Sequence, residues 1–222
     1  MAHTMRLFWA VQYPPEQGKK LIAWLKKHTN SCIHPKVSGV RWLDPAFLHC
    51  TLHFMGAFPI DAIPAMVEQV NLLILRGEAG MFQAELGPWH LLPRPAKARV
   101  LALSLEPKLE LRALADLVRK AAIKAQSATV MVRDGEGAQH YTQQAEMHYQ
   151  RANYKKAFFA HVSVARGKPA SLQQLYPELV ELPKRLQGFT VEKIVLIASE
   201  LHSRGAQYDV VATVALERAE DI

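Results

Sequence analysis

The sequence is short of cysteine, of long apolar runs and of glycine-rich phosphate loops. Two cysteines, Cys32 and Cys50, among 222 residues do not make a disulfide framework. Cys50 falls on the apolar side of a strand pattern and reads as a small buried residue. No stretch approaches the roughly 20 apolar residues of a membrane-spanning helix. The N-terminus has no charged-then-apolar leader. A cytoplasmic protein without membrane contact is therefore expected. Neither a Walker A loop nor Gly-x-Gly-x-x-Gly occurs, so nucleoside-triphosphate and dinucleotide use have no support. Without Gly-x-Ser-x-Gly there is no serine-hydrolase elbow. Cys32-Ile33-His34 has no second pair at zinc spacing, and His140 and His148 are too far apart to chelate together from one helix. No metal and no cofactor is expected.

Acidic residues are in deficit. Twenty-seven Lys and Arg face 20 Asp and Glu, a formal net charge of +7. This suits a polyanionic partner such as RNA. It equally suits a solvated basic surface, so charge alone does not choose. With half its residues hydrophobic, a chain of this length buries a sound core. One domain over 1–222 is expected, with two lobes.

What the sequence does contain is a strand pattern, Phe47 to Gly56. Strict alternation puts Leu48, Cys50, Leu52 and Phe54 on a core face and His49, Thr51 and His53 on the other. His49 and Thr51 then point the same way, about 7 Å apart. His53 lies about 13 Å along the strand from His49, which argues against a shared metal and makes it a cleft-edge residue. Roughly half the chain later, His161-Val162-Ser163-Val164 repeats the arrangement, with His161 and Ser163 on one face. Two similar halves, each giving one His-x-Thr/Ser strand to a shared cleft, would supply an acid–base pair of imidazoles. The Thr51 and Ser163 hydroxyls would donate to non-bridging oxygens of an anion held between them. That equipment suits metal-free phosphodiester chemistry.

The remaining elements form an α+β pattern of helices backing largely antiparallel strands. Strands are expected over 5–13, 40–43, 81–89, 99–105, 190–201 and 207–216. Helices are expected from Pro14-Pro15 to about His28, from an Asp61 cap to about Arg76 with Gly77 closing it, and from Pro107 to about Ala125. Their inward stripes would be Leu21, Ile22, Trp24 and Leu25; Ile63, Met66, Val67, Val70, Leu73 and Ile74; and Leu111, Leu114, Leu117, Val118 and Ala121. Within residues 127–157, Val130-Met131-Val132 reads as a short strand and Ala138–Arg151 as a marginal helix. Trp42, Tyr154 and Phe158 are candidates for stacking on a base, with core packing the stronger reading for each.

The paired His-x-[Thr/Ser]-x motifs, one per half, resemble those of the 2H phosphoesterase superfamily. Within it, Met5–Val11, Leu48–Gly56, Phe158–Arg166 and Ala198–Tyr208 resemble segments of the RNA 2′,3′-cyclic phosphodiesterases, the 2′-5′ RNA ligase family. The resemblance spans most of 5–215 except about 127–157, which reads as an insertion before the second motif. It departs from the family pattern at Ala160, where proline is usual, and at Ser163, where Thr is commoner. The resemblance implies a bilobal fold of two pseudo-symmetric lobes, each of antiparallel sheet backed by helices, with a cleft between them. It implies hydrolysis of RNA 2′,3′-cyclic phosphate ends to 2′-phosphates by a monomer that needs no obligatory protein partner. His161 would be the proton acceptor and His49 the proton donor, with Thr51, Ser163 and Arg166 on the phosphate. Strict alternation puts Arg166 on the opposite face from His161; the two readings agree if the strand ends or twists near Ala165. Hydrolysis of a small cyclic nucleotide, 2′-5′ ligation of RNA ends, non-catalytic RNA binding and an interaction role for 127–157 remain as alternatives.

Overall fold

The computed structural model describes residues 3–32, 39–134, 158–176, 179, 181–202 and 205–217. In chain order the strands are β1 (Thr4–Gln12), β2 (Val40–Trp42), β3 (His49–Pro59), β4 (Phe82–Leu92), β5 (Val100–Glu106), β6 (His161–Gly167), β7 (Gly188–Val191), β8 (Lys193–His202) and β9 (Gly205–Ala215). The helices are α1 (Pro15–Cys32), α2 (Ile63–Leu75), α3 (Lys108–Asp134) and α4 (Pro169–Leu175). All nine strands join one sheet in the order β7-β4-β5-β6-β3-β1-β8-β9, with β2 paired to β6. Every pairing between named strands is antiparallel.

The two lobes are thus parts of one sheet. They meet where Cys50 of β3 pairs with Val162 of β6. These are equivalent positions of the two motifs, so the junction lies on the local twofold. β7 and β8 are separated by Glu192 alone, yet they stand far apart in strand order. A single residue spans only about 3.5 Å. The sheet must therefore curl until its β4 side returns to β8, and it forms a half barrel. Leu216 N–H donating to Glu192 O at 2.8 Å and Met81 N–H donating to Glu217 O at 2.9 Å tie the two sides together.

Period-2 alternation divides β1 between the two faces of the sheet. Leu7, Trp9 and Val11 join the main core with the helices, whereas Phe8 and Ala10 form a smaller cluster with Val195 and Ile197. The expected helix stripes face the core, though four of their residues, Trp24, Ile63, Val67 and Leu73, are only partly buried against it. Leu21, Ile22 and Leu25 of α1, Met66, Val70 and Ile74 of α2, and Leu111, Leu114, Leu117, Val118 and Ala121 of α3 all lie in the main core. Each such large side chain contributes about 1.5–3 kcal/mol through burial. This apolar packing leaves the motif face of the central strands to polar groups.

Several boundaries differ from the sequence expectation. α1 runs on to Cys32 rather than stopping near His28. α3 runs on to Asp134 and absorbs Val130-Met131-Val132, so helical continuation overrides the β-branched run. Ala62, not Asp61, is at the N-cap of α2, because a 3₁₀ turn over Ile60–Ala62 precedes it. The expected strand over 190–201 is two strands that break at Glu192. β3 does not turn at Gly56 but continues to Pro59, with Gly56 at φ 69°, a left-handed conformation that glycine adopts without strain. The expected helix over 138–151, and with it Tyr154, lies outside the described residues.

Candidate active site

Each motif strand is paired on one side with a strand of its own lobe, β3 with β1 and β6 with β5, and each carries a bulge three residues after its motif histidine. Along β3, Ala10 faces Thr51 and Trp9 faces His53, so Leu52 is an extra residue. Along β6, Ala102 faces Ser163 and Leu101 faces Ala165, so Val164 is extra. A bulge breaks strict alternation and turns the next side chain to the other face. Leu52 and His53 therefore both face inward, at 5% and 7% exposure, and Phe54 returns to the motif face at 46%. Val164 and Ala165 are likewise both buried, and Arg166 returns to the motif face.

These bulges correct two expectations. His53 is not a cleft-edge residue but a core histidine, and Phe54 is not in the core. Burial pushes the His53 imidazole down to about 4, and the Arg119 charge on α3 acts in the same direction. The bulge also reconciles the two readings of Arg166, since β6 continues through it to Gly167.

His49, Thr51, His161, Ser163 and Arg166 all line one open cavity of about 900 Å³. The pairing of Cys50 with Val162 puts His49 across from Ser163 and His161 across from Thr51 in antiparallel register. Each imidazole is therefore beside the hydroxyl of the other motif. Each is also oriented in the same way. His49 Nδ1 lies 2.7 Å from the Phe47 carbonyl oxygen and His161 Nδ1 lies 2.8 Å from that of Phe159. A carbonyl only accepts, so Nδ1–H donates in both cases and Nε2 is left for chemistry. The carbonyl belongs in each half to the phenylalanine two residues earlier. The repeated unit is thus Phe-x-His-x-[Thr/Ser], a longer signal that was legible in the sequence.

The surroundings differ. The His49 ring lies 4.9 Å from that of Phe8 and 5.6 Å, edge-on, from Tyr208 of β9. The His161 ring stacks on Phe159 at 5.5 Å, and His90 of β4 meets the edge of Phe159 at 4.9 Å. Burial holds His49 below the ordinary imidazole range. The Phe47 carbonyl opposes this, and the charges of His161 and Arg166 add to it. His90 is also held low, by burial first and then by the His161 and Lys108 charges. Cys50, fully buried at the junction, has its thiol pushed up to about 12 by desolvation, which makes it inert.

Sequence reasoning did not single out Arg6, Phe8, Phe54 or Ser199 as cavity residues, although all four line it. Arg6 lies over the Phe54 ring at 4.7 Å, a cation–π contact at the rim. The signal of Phe54 was hidden because the bulge moved it from one face to the other. Trp42 and Phe158 are partly buried and pack against the core, in line with the packing reading. Among the described residues no three His, Cys, Asp or Glu side chains gather in a way that could hold a metal ion. Among the same residues no helix is long and apolar enough to cross a membrane.

No protein-family model and no curated protein sequence matches the chain. Solved structures do. LigT of E. coli in complex with 3′-AMP superposes with a TM-score of 0.61 and 22% identity, over 97% of this chain and 99% of that one. The same protein in complex with phosphate gives 0.62 and 21% over the same shares. Usb1 of Kluyveromyces marxianus gives 0.52 and 15%, over 97% of this chain and 98% of that one. At these identities the likeness is one of fold.

Proposed function

The chain has the LigT-like 2H phosphoesterase fold, and from that premise we propose that it is a phosphodiesterase that opens 2′,3′-cyclic phosphate ends of RNA to 2′-phosphates without a metal. The observation that carries this reading is the duplicated Phe-x-His-x-[Thr/Ser] unit. Two imidazoles, each with Nδ1–H tied to a carbonyl, present Nε2 to one cavity beside two hydroxyls and an arginine. A nucleotide complex of the similarly folded LigT is consistent with it.

In the proposed reaction neutral His161 takes a proton from water at Nε2 as the water oxygen bonds to phosphorus. The bond from phosphorus to the 3′-oxygen breaks, and His49 gives its Nε2 proton to that oxygen. The product keeps the 2′-phosphate and gains a 3′-hydroxyl. Thr51 and Ser163 donate hydrogen bonds to the non-bridging oxygens, and Arg166 answers their charge as it builds. His49, held low by burial first and then by the charges of His161 and Arg166, is a stronger acid than an ordinary imidazolium once protonated. A bound phosphate anion opposes those two charges and raises the proton affinity of His49 by their share, while the larger effect of burial remains.

The test is an assay of a cyclic-phosphate-ended oligonucleotide beside 2′,3′-cyclic mononucleotides, each with and without EDTA. Conversion to 2′-phosphate in EDTA is the expected result. Turnover of mononucleotides alone would point to small-substrate chemistry. Binding without turnover would point to a non-catalytic RNA-binding protein. Activity abolished by EDTA and restored by a divalent ion would overturn the mechanism.

A further inference from the structure

β2 is three residues long, yet it is fastened to the second motif strand along its whole length. Val40 pairs with Gly167, Arg41 with Arg166 and Trp42 with Ala165. Leu43 N–H then donates to Val164 O at 2.9 Å. The approach is close: a Cβ at Gly167 would lie 2.9 Å from the Gly39 carbonyl oxygen, so glycine is needed there. Trp42 anchors the strand against the core.

This register puts Arg41 directly opposite Arg166, and directly opposite residues share a face. Both line the cavity. Like charges directly opposite on neighbouring strands, about 4.8 Å apart, destabilise a sheet. Arg41 is exposed, and Trp42 supplies the strand's anchor against the core. Two carboxylates also line the cavity. Asp44 accepts from Ala46 N–H at 2.9 Å as the cap of a 3₁₀ turn, and Asp209 comes from β9 at the far end of the strand order. A cyclic phosphodiester carries one negative charge, which Arg166 and the histidine pair already answer.

We infer that Arg41 and Arg166 together form a subsite for the phosphodiester adjoining the reacting phosphate, so that the cleft prefers an oligonucleotide end to a free mononucleotide. The inference rests on the function proposed above and names its substrate class. Arg41 is on this account a specificity residue, outside the proton-transfer chemistry.

Two measurements on the full chain test it. Binding is measured with a short oligonucleotide ending in a 2′-phosphate and with a 2′-mononucleotide; turnover is measured with the corresponding cyclic phosphates. Arg41→Ala is expected to weaken the oligonucleotide about tenfold, chiefly in Kd and KM, and by at least about fivefold more than the mononucleotide. It should also flatten the dependence of log affinity on log salt by about 0.7 for the oligonucleotide, the contribution of one phosphate of a single strand. Arg41→Lys keeps the charge and should restore that slope. Equal losses for the two probes, or an unchanged salt slope, would overturn the subsite. A chain that binds the oligonucleotide with this Arg41 dependence but turns over neither cyclic phosphate would refute the hydrolytic reading and leave the subsite standing.

Discussion

β3 and β6 carry the same device and surround it differently. Each presents a histidine whose Nδ1–H is tied to the carbonyl of a phenylalanine two residues back, then a hydroxyl, then a bulge that sends one more side chain into the cavity. Backbone geometry is thus duplicated through the first irregularity, while β3 alone has a second, at Met55. After the bulge, however, β3 delivers Phe54 and β6 delivers Arg166. His49 has Phe8 and Tyr208 as ring neighbours, and burial lowers its proton affinity; His161 stacks on Phe159, whose edge meets His90. The comparison teaches that the fold fixes where two imidazoles meet, while the residues around each decide how it is used. A symmetric scaffold can then run a reaction with distinct acid and base partners.

The largest effects should come from the part the halves share. His49→Ala and His161→Ala should each lower kcat about a hundredfold or more, the scale of a lost acid–base group. The double variant should be little worse than either single one, because the two act as a unit. Single-turnover rates check this, and near-parental activity in either variant would break the equivalence of the two halves. The next largest effects should come from what they do not share. Arg166→Ala should cost about a hundredfold in kcat/KM, on the scale of one electrostatic donor to a developing anion. Phe54→Ala, at the equivalent position of β3, should cost only a few-fold. Equal losses at Arg166 and Phe54 would mean that the asymmetry has no chemical consequence.

A smaller effect concerns pH. On the proposed mechanism His49 must be protonated to act as the acid, so activity is expected to fall as pH rises through its pKa. In the free enzyme that pKa is below the ordinary imidazole value, because of burial and the charges of His161 and Arg166. In the complex a phosphate anion opposes those charges. The descending limb of the kcat profile, which reports the complex, should therefore lie at higher pH than that of kcat/KM, which reports the free enzyme. Coincident limbs would show that substrate does not change the proton affinity of His49, and would favour exchanging the two histidine roles.

Much of this site was legible in the residues and part was not. The two His-x-[Thr/Ser] units were readable because two residues of alternation suffice to put a histidine and a hydroxyl on one face. The amphipathic stripes of α1, α2 and α3 were readable because each is long enough to average over local exceptions. What failed was the extrapolation of period 2 beyond Thr51. A bulge is one extra residue counted against the partner strand, here β1, so nothing in Leu52-His53-Phe54 itself announces it. The same device in β6 explains why alternation and resemblance disagreed about Arg166. The division of 190–201 at Glu192 was hidden for a related reason: the curl that sends β7 and β8 to different neighbours is a property of the whole sheet.

His53 sharpens the comparison from the other side, because the bulge converts a residue of the cleft pattern into one of the core. Its expected effect is on stability rather than turnover, and it is the smallest in catalytic terms. The folded-state pKa is about 4, against about 6.5 for an unperturbed imidazole. The folded protein thus holds His53 neutral where the unfolded chain takes up a proton. Its contribution is fully present above about pH 6.5 and is lost as pH falls toward 4, which amounts to about 3 kcal/mol over that window. His53→Gln removes the titrating group and keeps a polar side chain of similar reach. Denaturant midpoints should show the variant less stable than the parent at pH 7, or similar to it, but losing less stability between pH 7 and pH 4.5. Turnover at neutral pH should stay within a few-fold of the parent, unlike that of His49→Ala. A parallel pH dependence in parent and variant would mean that His53 is not held neutral by burial, and with it would go the inward turn that the bulge at Leu52 imposes.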